Sequence, residues 1–280
     1  MSTLVKRGIT GSILVLGIIG ILHLGFRVFT LFTMLLGVLL SAEFIELTIA
    51  SCKETKHNKK IINPAFILVS ACCIGLTSLH VMGQSYPWSW LLLLALTLCC
   101  FTLHITLYKG GSLDYLGYHF IGLVYITLPL CLSLLLSKYE VTSYKAQNIL
   151  GIFVLLWVFD SSAYGLGSIF GKHALSPTIS PKKTIEGFGL AAVVTLSVGY
   201  LIPFVFLQTS WSSIEWAVIA GIAAVFGTIG DLFASSMKRE AGVKDSGKLL
   251  PGHGGLLDRF DSYLMTLPWV YLYLKLTALI

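Results

Sequence analysis

The sequence predicts an all-α, polytopic membrane protein with about nine transmembrane helices. Hydrophobic residues make up 56% of the 280 residues and charged residues only 11%, whereas soluble domains carry about 25% charged residues. Apolar runs long enough to cross a bilayer recur along the whole chain. Lys and Arg collect in the segments between these runs, as membrane topology requires. A mean hydropathy of +0.85 argues against a water-soluble fold.

A helix needs about 20 mostly apolar residues to cross the hydrocarbon core. Nine segments meet that requirement: 9–25, 28–50, 64–83, 87–108, 117–137, 147–169, 187–208, 213–235 and 262–280. The first follows Lys6 and Arg7 and therefore resembles a secretory signal peptide. Its exit is occupied by His23, Leu24 and Arg27, so the small-residue cleavage site of a signal peptide is missing. We expect this segment to be retained, as a helix or as half of a tight hairpin.

The placement of basic residues predicts the orientation of these segments. With the N-terminus in the cytoplasm and every segment crossing, 15 of the 19 basic residues lie on the cytoplasmic side. The other four are Arg27, Lys138, Lys145 and Lys275. Because basic residues favour the cytoplasm, we predict nine spans with the N-terminus inside and the C-terminus outside. A single membrane domain, 1–280, is expected, with N-terminal spans in 1–146 and the chemistry in 147–280.

Two predicted cytoplasmic loops, 171–186 and 236–261, are longer and richer in charge and glycine than the others. Loops of this kind usually carry function. In the first, the run Ser180-Pro181-Lys182-Lys183-Thr184 offers two adjacent cations and two hydroxyls, which suit an anionic lipid headgroup or CTP. The alternative is general attraction to anionic lipid, worth about 1 kcal/mol per basic residue.

Charge and cysteine usage exclude two other kinds of protein. The net charge of +6 arises from the loops between apolar runs, whereas a nucleic-acid-binding domain carries its basic residues as a patch on one folded surface. The six cysteines include no CxxC pair, and five of them lie inside apolar runs. They are therefore expected to be small buried hydrophobic residues rather than metal ligands or disulfide partners.

Asp160 and Asp231 are acidic residues within predicted spans. Each costs about 2.5–3.5 kcal/mol to insert at a helix centre, so each is expected to face the interior of the bundle with a partner. Ser235 and Lys238 follow Asp231 at i+4 and i+7. These spacings place all three side chains on one helix face.

The second loop leads into a further acidic pair. Asp258 and Asp261 are spaced i, i+3 at the start of the last helix, so they share a face and suit the macrodipole. Mg²⁺ typically binds one or two carboxylates together with substrate phosphates. Taken singly, each of these residues fits a structural role. Together, three acids and four bases within about 30 residues favour a metal-phosphate pocket. Its members are Asp231, Asp258, Asp261, Lys238, Arg239, Lys244 and Arg259.

The run from Ser235 to Asp261 resembles the signature of the phosphatidate cytidylyltransferase (CDP-diacylglycerol synthase) family at every defined position. It reads S-x-M-K-R, four residues, K-D-x-G, and then L-P-x-H-G-G-L-x-D-R-F-D. The stretch Asp160 to Gly187 is similar to an upstream block of the same family, and the short run Ala42-Glu43-Phe44 also matches it. The resemblance covers the C-terminal half by motif and the N-terminal half mainly by span pattern.

The resemblance implies magnesium-dependent transfer of CMP from CTP to phosphatidic acid, giving CDP-diacylglycerol and pyrophosphate for phospholipid biosynthesis. It implies that Asp231, Asp258 and Asp261 hold Mg²⁺, with a second cation left open, and that Lys238 and Arg239 act beside them. The implied substrate-binding residues are Asp160, Ser180, Lys182, Lys183, Ser235, Lys244, Asp245, His253, Gly254, Gly255 and Arg259. His253 either donates to a phosphate or caps its turn. In-line transfer of this kind depends on positioning and charge neutralisation and needs no protein nucleophile.

The implied partners are CTP, phosphatidic acid and membrane lipids, without nucleic acid, and a homodimer is left open. A bacterial inner (cell) membrane is expected, with the site on its cytoplasmic face.

Two other functions compete with this interpretation. One is a related enzyme of the same superfamily, either a CTP-dependent polyprenol kinase or a cytidylyltransferase acting on an archaeal-type ether lipid. The other is a transporter in which Asp160 and Asp231 form an ion-coupling pair. Transporters often show paired halves with broken helices, and the sequence has no such symmetry.

Overall fold

The computed structural model describes residues 3–51, 59–83, 113–140, 143–206, 211–247 and 254–280, with the single positions 95, 98, 102, 209 and 249. Its helices are α1 (Thr3–His23), α2 (Phe26–Ser51), α3 (Lys59–Val81), α4 (Leu113–Gly122), a π-helical segment (Leu123–Thr127), α5 (Leu128–Leu136), α6 (Ala146–Phe170), α7 (Ile185–Val205), α8 (Ser213–Glu240) and α9 (Leu257–Leu276). The strands are β1 (Lys138–Glu140), β2 (Ser143–Tyr144), β3 (Ala174–Ser176) and β4 (Ser180–Thr184). They form two antiparallel hairpins, β1–β2 and β3–β4.

Six segments of the described chain are long and apolar enough to cross a membrane. They are Phe26–Thr48, Pro64–Val81, Gly117–Leu136, Ala146–Phe170, Ile185–Val205 and Ser213–Glu240. The mostly helical character that the sequence predicted is confirmed, with six segments that are candidates for membrane spans. These six segments coincide with six of the nine predicted spans.

The other three predicted spans are not among these six segments. The span predicted over 9–25 falls on α1, in which the stretch Gly11–His23 is apolar. The span predicted over 87–108 lies almost entirely outside the described residues. The span predicted over 262–280 falls on α9, which begins earlier, at Leu257, and is not among the six. The count of nine and the orientation therefore stay predictions.

The first long loop contains strand structure that an all-α prediction leaves out. Between α6 and α7 the chain forms the β3–β4 hairpin, with Ala174 opposite Thr184 and Ser176 opposite Ser180. Backbone groups outside a helix need partners, and strand pairing supplies them here. Thr184 then caps α7, since its hydroxyl accepts a hydrogen bond from Gly187 N at 3.2 Å. The loop consequently ends at Thr184 rather than Glu186.

The second long loop is shorter than predicted because α8 continues through Glu240. Lys238 and Arg239 lie in its last turn, where cations suit the helix dipole. The helix ends in a Schellman motif, in which Val243 N donates to Lys238 O at 2.9 Å and Gly242 N to Arg239 O at 3.1 Å. This motif needs a positive φ, which Gly242 supplies at +69°.

The C-terminal helices form the tightest part of the bundle. Helix α7 packs against both α6 and α8, and α8 packs against α9. Helix α6 also reaches α9, where the rings of Phe153 and Tyr263 stack with centroids 4.2 Å apart. Small residues permit close approach, because a Cβ added at Gly187 would lie 2.8 Å from Gly167 Cα. This packing positions the side chains described next.

Candidate active site

Helices α8 and α9 cross at a point where each carries an aspartate. A Cβ built on Gly230 of α8 would lie only 2.5 Å from the Asp261 carbonyl oxygen of α9. A hydrogen bond of 3.0 Å from Ser262 Oγ to Gly227 O joins the same helices one turn earlier. Only glycine at position 230 allows this backbone contact. Asp231 follows Gly230 directly, so the crossing brings Asp231 and Asp261 into one neighbourhood.

A cavity of about 200 Å³ opens beside this crossing. One part of its lining is apolar and comes mainly from α1 and α6: Gly11, Leu14, Val15, Phe153, Leu156, Trp157 and Tyr263. The other part is polar: Asp160, Asp258, Arg259, Asp261 and Ser262. Asp160 is exposed to this cavity although it lies on a membrane-spanning helix. The cavity therefore offers charged and apolar surfaces side by side.

Asp258 holds the second loop against the end of α8. Its carboxylate pairs with Lys238 Nζ and accepts hydrogen bonds from Ser246 N at 2.9 Å, Ser246 Oγ at 3.2 Å and Gly255 N at 3.3 Å. Burial raises the pKa of the Asp258 carboxyl, but Lys238 and the loop donors outweigh burial and hold its pKa below the usual value. The carboxylate is therefore ionised, and both of its oxygens have partners.

Asp261 is buried, with 6% of its surface exposed. Its Oδ1 accepts a hydrogen bond from Ser262 N at 2.7 Å. Burial raises the pKa of the Asp261 carboxyl well above its usual value, and the charge of Asp231 raises it further, with smaller contributions from Asp160 and Asp258. Three other aspartates thus act electrostatically on Asp261. A cation placed among them would relieve their repulsion.

The aspartates could bind Mg²⁺ only together with ligands from a substrate. Among the residues that the structure describes, no three acidic, histidine or cysteine side chains are grouped closely enough to hold an ion by themselves. Mg²⁺ needs only one or two carboxylates when substrate phosphates complete its shell. Asp231, Asp258 and Asp261 can supply such ligands, although Lys183 already pairs with Asp231 and Lys238 with Asp258. Whether all three hold the ion stays a prediction.

The β3–β4 hairpin brings one predicted cation to the site. Lys183 Nζ pairs with the Asp231 carboxylate, and each side chain keeps about a third of its surface exposed, 30% and 33%. Asp231 Oδ1 also accepts a 3.3 Å hydrogen bond from Ser235, as the i+4 spacing predicted. Lys182, the residue before Lys183 in β4, is exposed. Ser180 lies at the start of β4, opposite Ser176.

The remaining predicted residues lie around the loop and the helix ends. Arg239, Lys244 and Asp245 are exposed, and Arg259 is exposed and lines the cavity. Gly255 is buried, and Gly254 adopts a φ of +81° beside Asp245. His253 lies outside the described residues.

Glu43 on α2 is a site residue that none of the predicted sets contained. Only 2% of its surface is exposed, and its carboxylate accepts hydrogen bonds from Leu256 N and Leu257 N at 2.8 Å each and from Ser246 Oγ at 3.3 Å. These donors belong to the second loop and the first turn of α9. A carboxylate at this place also suits the helix dipole. Glu43 therefore ties the N-terminal half of the chain to the loop that carries Asp258.

Two signals in the sequence pointed to Glu43. It stands inside an apolar run, where an acidic residue calls for a partner. It is also the centre of the short family match Ala42-Glu43-Phe44.

Comparison with known proteins shows which family the sequence resembles. A sequence model of the cytidylyltransferase family matches residues 5–277. The phosphatidate cytidylyltransferase of Staphylococcus saprophyticus is 45% identical over 130 residues, which cover 46% of this chain and 50% of the relative. That of Bacillus subtilis is 40% identical over 157 residues, covering 56% and 58%. That of Staphylococcus aureus (strain COL) is 46% identical over 134 residues, covering 46% and 50%.

The alignments with these curated relatives are partial, and the chain spans about half the length of each relative it matches. The family match, by contrast, leaves only a few residues at each end uncovered. It therefore takes in α2 with Glu43 as well as the helices that carry the four aspartates. The resemblance seen in the run from Ser235 to Asp261 is confirmed, and the chain belongs to the cytidylyltransferase family.

Proposed function

We propose that this chain transfers CMP from CTP to phosphatidic acid, forming CDP-diacylglycerol and pyrophosphate for phospholipid biosynthesis. The observation that carries the proposal is the crossing of α8 and α9, which brings Asp231 and Asp261 together beside a cavity that is part charged and part apolar. The names of the bacterial relatives support the choice of substrates. A transporter would not need a nucleotide signature between these two helices.

The cavity suits an amphiphilic substrate. Its apolar lining from α1 and α6 can accommodate the upper part of an acyl chain, while Arg259 offers a positive charge to a phosphate. Most of the helices that surround it are apolar enough to lie in a bilayer. A lipid phosphate could therefore reach the aspartates without leaving the membrane.

Mg²⁺ is the cation proposed for the acidic cluster. Asp231 and Asp261, with Asp258 as a third acid, would hold it, and when bound it would neutralise phosphate charge. Lys183 lies at Asp231 and Lys238 at Asp258, so two ammonium groups flank the same cluster. The protein's part in the reaction is then to bind two highly charged reactants and align them.

The reaction itself is an in-line displacement at phosphorus. An oxygen of the lipid phosphate forms a bond to the α-phosphorus of CTP as the bond to the β-phosphate bridging oxygen breaks, and pyrophosphate leaves with that oxygen. Lys183, Lys238 and Arg259 are placed to stabilise the negative charge of both phosphates. A protein nucleophile is not required, because positioning and charge neutralisation supply the rate enhancement.

The setting proposed is a bacterial inner (cell) membrane, in keeping with the bacterial relatives. Nine spans with the N-terminus inside would put the β3–β4 hairpin and the loop before α9 on the cytoplasmic face. CTP is a cytoplasmic nucleotide, so this orientation gives it direct access to the site.

Product analysis tests the proposal. Purified full-length protein in lipid–detergent micelles is incubated with Mg²⁺, phosphatidic acid and CTP labelled at either the α- or the γ-phosphate. The expected result is α-label in CDP-diacylglycerol, identified by mass spectrometry, and γ-label in pyrophosphate. Transfer of the γ-phosphate to a lipid alcohol, or solute flux in proteoliposomes without any CDP-lipid, would replace this function with one of its two competitors.

Lys183→Met is expected to lower CDP-diacylglycerol formation by about 10- to 100-fold, because it removes a charge-assisted partner of Asp231 at the site. Initial rates at saturating CTP measure the effect. Lys172→Met is the matched control, since Lys172 is an exposed lysine just before the same hairpin. Equal rates for the two variants would show that the charge of Lys183 plays no part in the reaction.

A further inference from the structure

The membrane-spanning segment Gly117–Leu136 changes its helical register in the middle. Leu128 N donates to Leu123 O, five residues back, at the end of the π-helical segment Leu123–Thr127. Pro129 accounts for the change, because proline has no N–H and its ring clashes with the carbonyl group four residues earlier, which is that of Tyr125. Single π turns within α-helices are rare and are frequently found at functional sites.

Tyr125 lies at the centre of this π turn and is 5% exposed. Its ring packs against Phe233, with centroids 4.9 Å apart, and against Phe44 at 6.4 Å. Phe233 follows Asp231 by two residues, and Phe44 follows Glu43 directly. The ring is thus fixed between two helices that supply acidic residues to the site.

The hydroxyl group of Tyr125 is buried and has no hydrogen-bond partner among the described residues. It interacts electrostatically with the carboxyl groups of Asp261, Asp231 and Asp258. Buried hydroxyl groups are normally paired, since leaving one without a partner costs free energy. An unpaired donor beside a cluster of charged groups needs a further explanation.

None of the hydrogen bonds that the aspartates accept from the described residues comes from Tyr125. Asp231 accepts from Lys183 and Ser235. Asp258 accepts from Lys238, Ser246 and Gly255, and Asp261 accepts from the backbone of Ser262. The Tyr125 hydroxyl is therefore an unused donor near the aspartates, which a ligand with acceptor oxygens could engage.

We propose that Tyr125 is a further substrate-binding residue, whose hydroxyl donates a hydrogen bond to a phosphate oxygen of the bound reactants. The inference rests on the proposed function, which brings two phosphate-bearing molecules to the aspartate cluster. The nucleotide and the lipid share this acceptor chemistry, and the kinetics distinguish them. The π turn would then be the feature that orients the tyrosine toward the site.

Tyr125→Phe tests the inference because it removes the hydroxyl and keeps the ring contacts with Phe44 and Phe233. The full-length variant is assayed in lipid–detergent micelles with Mg²⁺, CTP and phosphatidic acid. We expect kcat/KM to fall by about 10- to 100-fold, the effect of losing one hydrogen bond to a charged group. A change confined to the KM for CTP assigns the contact to the nucleotide, and one confined to the KM for phosphatidic acid assigns it to the lipid. A fall in kcat alone assigns it to the transition state.

Thermal unfolding separates this role from a structural one. Removing an unpaired buried hydroxyl should leave Tm unchanged or raise it, so a loss of activity without a loss of Tm is expected. Tyr144→Phe is the matched control. Its hydroxyl is likewise buried without a partner among the described residues, but its ring packs against Phe26 and Phe29 at the start of α2. Tyr144→Phe should retain wild-type activity.

The inference is overturned if Tyr125→Phe and Tyr144→Phe are equally active, or if Tyr125→Phe loses activity only together with Tm. Equilibrium binding of CTP and of phosphatidic acid to the same variants gives a readout that does not depend on turnover. Wild-type protein that forms no CDP-lipid would contradict the proposed function. The inference about Tyr125 would fall independently if binding of both ligands and turnover were unchanged in Tyr125→Phe.

Discussion

Asp261→Asn is expected to lower CDP-diacylglycerol formation by about a thousandfold or more, since it removes a charge from the proposed ion site. Asparagine has the same shape and can still accept from Ser262 N, so the start of α9 should remain intact. Burial and the charge of Asp231 both disfavour the ionised form of the Asp261 carboxyl group. The variant should therefore melt no lower than the wild type. Initial rates with radiolabelled CTP and thermal unfolding followed by circular dichroism measure the two effects.

Glu240→Gln is the control for Asp261→Asn. Glu240 is an exposed acid at the end of α8. Its substitution therefore removes one negative charge without altering the lining of the cavity. It should keep wild-type turnover. Near-normal turnover in Asp261→Asn would remove Asp261 from the ion site, and loss of folded protein would show that its main role is structural.

Glu43→Ala is expected to destabilise the protein by about 3 kcal/mol, because it leaves the backbone N–H groups of Leu256 and Leu257 without their acceptor. Turnover should fall by about a hundredfold as well, since a shift of about 1 Å in the loop that carries Asp258 is enough for such a loss. Thermal unfolding in detergent and the CDP-lipid assay measure the two effects.

Glu46→Ala provides the comparison for Glu43→Ala. Glu46 lies one turn further along α2 and is exposed, so its removal should change neither quantity. The melting temperature and turnover of Glu43→Gln should lie between those of Glu43→Ala and Glu46→Ala. The amide keeps one acceptor oxygen and presents a donor in place of the other. An unchanged melting temperature in Glu43→Ala would show that α2 does not hold the loop in place.

The parts of the fold that were predicted correctly depend on short-range patterns. The length of an apolar run predicts a membrane helix, and six such runs coincide with helices of the required length. Helical periodicity predicts that Ser235 lies on the same face as Asp231, and a hydrogen bond joins their side chains. The end of α8 and the start of α9 differ from the predicted limits by a few residues, because caps and turns set them rather than hydrophobicity.

The features that were missed depend on contacts between distant parts of the chain. Glu43 and Ser246 are 203 residues apart, and no periodicity in one sequence relates them. The contact of Gly230 with the backbone of Asp261 is likewise a tertiary feature, which a lone glycine in a helix does not reveal. The contacts of Asp258 with Lys238 and with Ser246 N were not predicted either, and its assignment to the metal site stays a prediction.

The central claim is that Asp231 and Asp261 share one divalent cation with the phosphates of the bound reactants. Electron paramagnetic resonance with Mn²⁺ in place of Mg²⁺ tests it on the full-length protein in nanodiscs with CTP. We predict one bound Mn²⁺ with coupling to ³¹P, and binding weakened by at least about tenfold in both Asp231→Asn and Asp261→Asn but not in Glu240→Gln. Equal Mn²⁺ affinity in all of these proteins, or bound Mn²⁺ without coupling to ³¹P, would contradict the account.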